Sequence, residues 1–238
     1  MSDTLKIHSF QSLGTVDGPG VRAVVFLQGC PLRCICCHNP DTWDFSAGND
    51  IQITDLMEKI RRCRPYWGKD GGVTVSGGEP LMQAKQLIKF FEILKSEGIH
   101  TVIDTSGCIF NDDIKKLLEL TDMVLLDYKY TNPEDYKKNT GMDIFQVNSF
   151  LSYLNERKLD TVLRYVVIPD INDSYESFEK LSEIRKKHDC VKYVELLPFR
   201  KICIEKYKEL KIEFPLVHTK EPTKEDIGEL YSKFPDLN

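Results

Sequence analysis

The sequence predicts an α/β fold, a parallel sheet of six strands arranged as a partial (β/α)6 TIM-like barrel. Six short apolar runs alternate with longer stretches whose apolar residues recur at helical spacing. Right-handed crossovers between parallel strands require that order. Most runs are almost continuously apolar, as in strands covered on both faces. They also tend to end in polar residues or glycine, at the edge where such folds bind ligands. Eight strands close a full barrel, so six leave a lateral mouth.

Residues 1–21 hold Gly14-Thr15-Val16-Asp17-Gly18-Pro19-Gly20, a turn-rich loop. Arg22–Leu27 is the first strand, and a cysteine-rich loop follows it. Thr54 is placed to cap a helix carrying Leu56, Met57 and Ile60. Gly72–Val75 is the second strand and runs into Ser76-Gly77-Gly78-Glu79-Pro80. Pro80 suits the first turn of a helix whose stripe is Leu87, Ile88, Phe91 and Leu94, with Gly98 as its stop. Thr101–Thr105 is the third strand, and Asn111 caps a helix bearing Ile114, Leu117 and Leu118. Met123–Lys129 is the fourth strand and turns polar at Asp127.

A helix around Val147, Phe150, Leu151 and Leu154 leads to the fifth strand, Thr161–Ile168, stopped by Pro169. Arg164 lies inside that apolar strand and needs a partner if buried. Phe178, Leu181 and Ile184 line the next helix, and Tyr193–Leu197 is the sixth strand, stopped by Pro198. Residues 201–221 carry no clear pattern. Thr223-x-x-Asp226 is a capping box opening a last helix with Ile227, Leu230, Tyr231 and Phe234. The economical reading is one domain, 1–238, with an N-terminal extension over 1–21, the core over 22–200 and a C-terminal extension over 201–238.

Composition narrows the function classes. A net charge of −5 argues against a nucleic-acid binder, which would show a basic face. No apolar run reaches the roughly 20 residues that span a bilayer. Four of the eight cysteines, Cys63, Cys108, Cys190 and Cys203, are scattered singly without pairing spacings, which suggests a reducing, cytoplasmic compartment.

The chemistry concentrates at Gly29-Cys30-Pro31-Leu32-Arg33-Cys34-Ile35-Cys36-Cys37-His38. Cys30, Cys34 and Cys37 stand at C-x3-C-x2-C spacing. Three thiolates can hold three irons of a 4Fe–4S cluster and leave the fourth open to a small molecule. The rival is zinc, closed by Cys30, Cys34, Cys37 and His38 in a binding protein without redox chemistry.

Cys30-x3-Cys34-x2-Cys37 followed by Ser76-Gly77-Gly78-Glu79-Pro80 resembles the radical S-adenosylmethionine superfamily. Gly14-x-Val16-Asp17-Gly18-x-Gly20-x-Arg22 resembles the signature of glycyl-radical-enzyme activating enzymes. Ile7-His8-Ser9-Phe10, Cys37-His38-Asn39-Pro40-Asp41-Thr42-Trp43-Asp44, Gly98-Ile99-His100-Thr101 and Arg164-Tyr165-Val166-Val167-Ile168-Pro169 are similar to the pyruvate formate-lyase branch of that family. Asn39–Ile53 holds no cysteine, unlike relatives with a ferredoxin-like insertion.

The resemblance implies a radical S-adenosylmethionine core with one 4Fe–4S cluster per chain, held by Cys30, Cys34 and Cys37. It implies S-adenosylmethionine as cofactor, contacted by Cys36, His38, Gly77, Gly78, Asp127, Tyr128, Lys129, Arg164 and Arg200. Asp104, Thr105 and Asp127 match positions for a monovalent cation. Asp17, Gly18, Pro19 and Gly20 match a loop that receives the protein substrate. The implied activity is removal of a glycine hydrogen from pyruvate formate-lyase, or another glycyl radical enzyme, by a 5′-deoxyadenosyl radical. A flavodoxin- or ferredoxin-type protein supplies the electron. No side chain is needed as a general acid or base. Cys36 leaves open the ligand set Cys30, Cys34 and Cys36. Arg200 stands where the family commonly has histidine, which puts that contact in question.

Overall fold

A computed structural model describes residues 3–238. Hydrogen bonding orders its strands β3-β1-β2-β4-β5-β6-β7-β8, an open and mostly parallel sheet. All six expected strands are present. Contacts divide the chain, read above as one domain, into two compact units.

The first unit comprises the chain up to Pro31, then Thr42–Thr105 and Ile109–Leu125. It opens with β1 (Thr4–Gly14), β2 (Arg22–Leu27) and β3 (Asn49–Gln52). The N-terminal stretch is thus a strand, where a loop was expected. Leu5 and Ile7 are buried, while Lys6 and His8 are only half-buried. That alternation marks a strand with unlike faces, and the glycines behind it masked the signal. β1 pairs antiparallel with β2 (Ile7 opposite Leu27, Gly14 opposite Arg22) and with β3 (Thr4 opposite Gln52).

Helix α1 (Ile53–Cys63) buries Leu56, Met57 and Ile60 as expected. Its N-cap is Gln52, without a side-chain bond, so Thr54 lies inside the first turn and does not cap it. β4 (Gly72–Gly77) runs parallel to β2, with Gly72 opposite Arg22 and Gly77 opposite Leu27. Pro80 heads a 3-10 turn, Pro80–Gln83, before α2 (Ala84–Ser96). Phe90 joins Leu87, Phe91 and Leu94 in the core. β5 (His100–Thr105), α3 (Asp112–Leu118) and β6 (Met123–Asp127) follow, and Asn111 caps α3 through Ile114 N–H at 3.1 Å.

The second unit comprises Leu32–Asp41, Ser106–Cys108 and Leu126–Asn238. It contains α4 (Pro133–Thr140), α5 (Phe145–Arg157), β7 (Thr161–Val167), α6 (Tyr175–Lys187), β8 (Val191–Pro198), α7 (Ile204–Glu209) and α8 (Lys224–Lys233). β7 and β8 pair in parallel with Arg164 opposite Glu195. Phe150, Leu154, Leu163, Tyr165, Phe178 and Val194 form its fully buried core. The capping box at Thr223 and Asp226 forms as expected. α4 was not anticipated, although Asn132 caps it, Pro133 opens it and Gly141 closes it at φ 81°. It is short and polar, so no apolar stripe announced it.

Arg22 organises the strand-entry edge of the first unit. It is fully buried. Its guanidinium donates to Thr74 Oγ1 (2.7 Å), Pro19 O (2.9 Å), Val73 O (2.9 Å) and His100 O (3.1 Å). Thr74 Oγ1 in turn donates to Asp17 O at 2.6 Å. The Asp17-Gly18-Pro19-Gly20 loop is therefore folded onto the entrance of β2. The cysteine loop leaves the other end of that strand, roughly 17 Å away at about 3.3 Å per residue. The carbonyls of Asp17 and Pro19 thereby serve the unit's own packing. Arg22→Met strands several buried acceptors and should cost about 3 kcal/mol or more. Urea unfolding of the apoprotein measures it, and a loss below about 1 kcal/mol would contradict this account.

Candidate metal and cofactor site

The cysteine loop is fixed by its backbone, independently of what its thiols hold. In the first unit, Gly78 N–H donates to Leu27 O (2.8 Å), Glu79 N–H to Gly29 O (2.9 Å) and Gly29 N–H to Thr42 O (2.9 Å). Two glycines make this approach possible. A Cβ on Gly77 would lie 2.3 Å from Leu27 N, and one on Gly78 2.3 Å from Gly29 O. Gly77 also has φ 111°, a conformation that other residues rarely adopt. In the second unit, Arg33 N–H donates to Thr140 O (2.8 Å) and Ile35 N–H to Asn139 O (3.0 Å), both at the end of α4. Cys37 N–H closes a turn onto Cys34 O at 3.1 Å.

No disulfide joins any of the eight cysteines. Cys34 is buried, and Cys30, Cys36 and Cys37 are half-buried. Among the described residues no group of three or more His, Cys, Asp or Glu side chains is disposed for one metal ion. Cluster ligands bind separate irons and stand further apart than ligands converging on a single ion.

Around the exit of β5, Ser76 Oγ donates to Asp104 Oδ2 at 2.7 Å. The Thr105 hydroxyl donates to Glu79, which also caps the Pro80 turn through Leu81 N–H at 3.1 Å. Glu79 is a functional neighbour that the sequence reading left unassigned. It is 1% exposed and ties the glycine turn to the exit of β5. Asp104 and Thr105 belong to the first unit and Asp127 to the second.

The second unit contains a small cleft lined by Cys36, Asp127, Lys129, Arg164, Val166 and Ile168. Lys129 Nζ lies 3.0 Å from Asp127 Oδ2. Arg164 Nε lies 3.4 Å from Glu195 Oε2, which supplies the partner its strand position called for. Burial opposes the charge on Asp127, but Lys129 and Arg164 outweigh it and hold the carboxyl below its usual range. Burial likewise opposes the charge on Lys129, and Asp127 with the nearby thiols more than restores it. Burial pushes the Cys36 thiol up to about 11. The cleft thus presents both signs of charge over a short span, as a zwitterionic ligand requires.

Other expected contacts sit differently. The Tyr128 hydroxyl donates to Asn148 Oδ1 at 2.7 Å, and its N–H pairs with Arg164 O at 2.9 Å. The ring is therefore an anchor to α5. The Arg200 guanidinium donates to Pro222 O at 2.6 Å and lies 3.6 Å from Glu221. It ties the end of β8 to the C-terminal segment. The Arg200 carbonyl accepts from His38 Nε2 at 2.9 Å, which places the ring proton on that nitrogen. Lys206 on α7 bonds Asn39 Oδ1 (2.8 Å) and pairs with Asp41 (2.9 Å), tying down the residues that follow His38. Sequence reasoning missed Lys206 because its helix is a single short turn-and-a-half with no stripe.

Residues 16–144 match the family model described as a 4Fe-4S single cluster domain. The chain is 40% identical over 230 residues to the pyruvate formate-lyase-activating enzyme of Listeria monocytogenes, covering 94% of this chain and 93% of the relative. It is 42% identical over 212 residues to the enzyme of that name from Clostridium pasteurianum, covering 89% of each. The pyruvate formate-lyase 1-activating enzyme of Escherichia coli K12 is 40% identical over 228 residues, covering 94% and 93%. Among solved structures, Streptococcus suis SuiB bound to precursor peptide SuiA superposes with a TM-score of 0.71 at 16% identity, covering 90% of this chain and 45% of that one. A radical SAM methyltransferase from Sphaerobacter thermophilus gives 0.66 at 17%, covering 91% and 64%. These structural likenesses establish the shared fold.

Burial lowers the His38 and His100 pKa values below the ordinary 6.5. The unfolded chain therefore binds protons that the folded one refuses as pH falls below about 6.5, and stability declines there. Urea unfolding of the apoprotein between pH 7.5 and 5.5 should show this loss, and His38→Gln should flatten it. An unchanged slope in that variant would remove His38 from the account.

Proposed function

Because the chain belongs to the pyruvate formate-lyase-activating enzyme family, we propose that it activates pyruvate formate-lyase by installing a glycyl radical. The observation that carries this reading is whole-length identity to enzymes of that name together with the C-x3-C-x2-C loop. The cofactors are a 4Fe–4S cluster and S-adenosylmethionine. When bound, the reduced cluster supplies one electron to the sulfonium, and the adenosyl fragment released removes the Cα hydrogen of a glycine.

The donor chemistry of this chain fits the cluster. Cys30, Cys34 and Cys37 are reduced thiols on a backbone already fixed at several points, so binding needs little ordering of the loop. We assign the three cluster ligands to these residues and leave Cys36 at the cleft wall. Asp127, Lys129 and Arg164 would hold the zwitterionic end of S-adenosylmethionine, and Gly77 and Gly78 would allow close backbone approach. Asp104, Thr105 and Asp127 are candidates for a monovalent cation beside that carboxylate. His38 holds the loop against Arg200 O, which keeps the Cys36–His38 backbone in place for the adenine. Glycine is a suitable target because it lacks Cβ and can flatten as its radical delocalises. The electron comes from a flavodoxin- or ferredoxin-type protein, and the reaction belongs in the cytoplasm. No helix of the described residues is long and apolar enough to cross a membrane.

Anaerobic reconstitution with iron and sulfide, reduction, and addition of S-adenosylmethionine and pyruvate formate-lyase should yield the electron-paramagnetic-resonance doublet of a glycyl radical. Cys34→Ala should abolish the doublet and Cys36→Ala should retain it. Loss of the cluster in the Cys36 variant would overturn the ligand assignment. Radical formation only on a different glycyl radical enzyme would overturn the substrate. One zinc per chain without sulfide would replace the reading with a closed Cys3His site.

A further inference from the structure

We propose that the Tyr130 hydroxyl donates a hydrogen bond to a sulfur of the loop-held cluster on its Cys34 side, and that this bond raises the cluster's reduction potential. The inference rests on the ligand assignment above and adds a positioning and tuning residue to it.

Tyr130 is 1% exposed, and its hydroxyl has no hydrogen-bond partner among the described residues. A buried hydroxyl left unmade forfeits its water without compensation. Two other buried tyrosines of the second unit, Tyr128 and Tyr165, are paired. Tyr128 donates to Asn148 Oδ1 at 2.7 Å, and Tyr165 donates to Asn172 O at 2.7 Å. Such an orphan implies a missing acceptor.

The surroundings indicate which acceptor. The Tyr130 ring stands edge-on to Tyr136, with centroids 6.5 Å apart and planes at 90°. Tyr136 belongs to α4, the helix whose end carbonyls at Asn139 and Thr140 accept from Ile35 and Arg33 on either side of Cys34. One helix therefore holds both the ring and the loop. On the chain, Tyr130 directly follows Lys129, which lines the cleft with Cys36. The hydroxyl is buried, and the thiols of Cys36 and Cys34 are near enough to act on it. The hydroxyl is thus a buried donor on the side of the cysteine loop that α4 holds.

A donor to cluster sulfur stabilises the reduced state more than the oxidised one, because the added electron makes the sulfurs more negative. Hydrogen bonds to sulfur are one of the protein's levers on cluster potential. Removing this donor should therefore make reduction harder.

The test uses the reconstituted holoenzyme and an electron-paramagnetic-resonance redox titration. Tyr130→Phe keeps the ring and removes only the hydroxyl. The expected result is a full cluster, a midpoint potential more negative than wild type, and an apoprotein Tm equal to or above wild type. Tyr165→Phe is the structural control, with an unchanged midpoint and a lower apoprotein Tm, since it loses a satisfied bond. If the phenylalanine variant does not hold a cluster, Tyr130→Leu should show the same negative shift. Equal midpoints in wild type and the Tyr130 variant, with clusters intact in both, would overturn the proposal. A wild-type protein that binds no 4Fe–4S cluster would instead overturn the ligand assignment, and this inference with it.

Discussion

The constraint on which the rest depends is backbone contact at the exit of β2. Gly77 and Gly78 lie so close to Leu27 and Gly29 that no side chain fits between them. The parallel register of β2 and β4 carries this contact to the first residues of the cysteine loop. Fixing the loop through its peptide groups leaves the thiols available for chemistry. A substitution that added one carbon at either glycine would displace the loop as a whole, so these positions act on the metal centre without touching it.

The second half of the loop is held in the same manner, by the end of α4, and its continuation is tied by Lys206 to Asn39 and Asp41. Surface ion pairs alone contribute little. Here the half-buried pair supplements backbone bonds, and the combination limits how far the residues after His38 can move. The charges of the cleft are arranged differently. Asp127, Lys129, Arg164 and Glu195 are half-buried and meet in pairs, so each partly desolvated charge has a counter-charge. A polar ligand entering the cleft meets partners that are already oriented, the condition for electrostatic preorganisation.

Much of this was legible in the sequence, for physical reasons that differ by element. β2 and β4 are buried on both faces, and burial writes itself there as nearly unbroken apolar runs; β8 keeps an exposed stretch at Lys192 and Tyr193. The Asn111 cap and the Thr223–Asp226 box follow from unsatisfied N–H groups at helix starts. The antiparallel β1 was hidden by the glycines that follow it. α4 and α7 were hidden because short polar helices bury little. The cysteine spacing and the glycine turn were readable as chemistry. The orientation of Arg200 was not, because its acceptor at Pro222 lies in a segment without periodic pattern. Tyr130 was invisible in the sequence, since only a structure reveals a buried hydroxyl with nothing to bind.

The account's central claim is that three cysteines of this loop leave one iron of a 4Fe–4S cluster without a protein ligand. Mössbauer spectroscopy of anaerobically reconstituted protein, with and without S-adenosylmethionine, tests it directly. The account predicts a four-iron cluster in which a single iron site changes its spectrum when the cofactor is added. A spectrum that does not respond to the cofactor, or a centre without iron and sulfide, would contradict it.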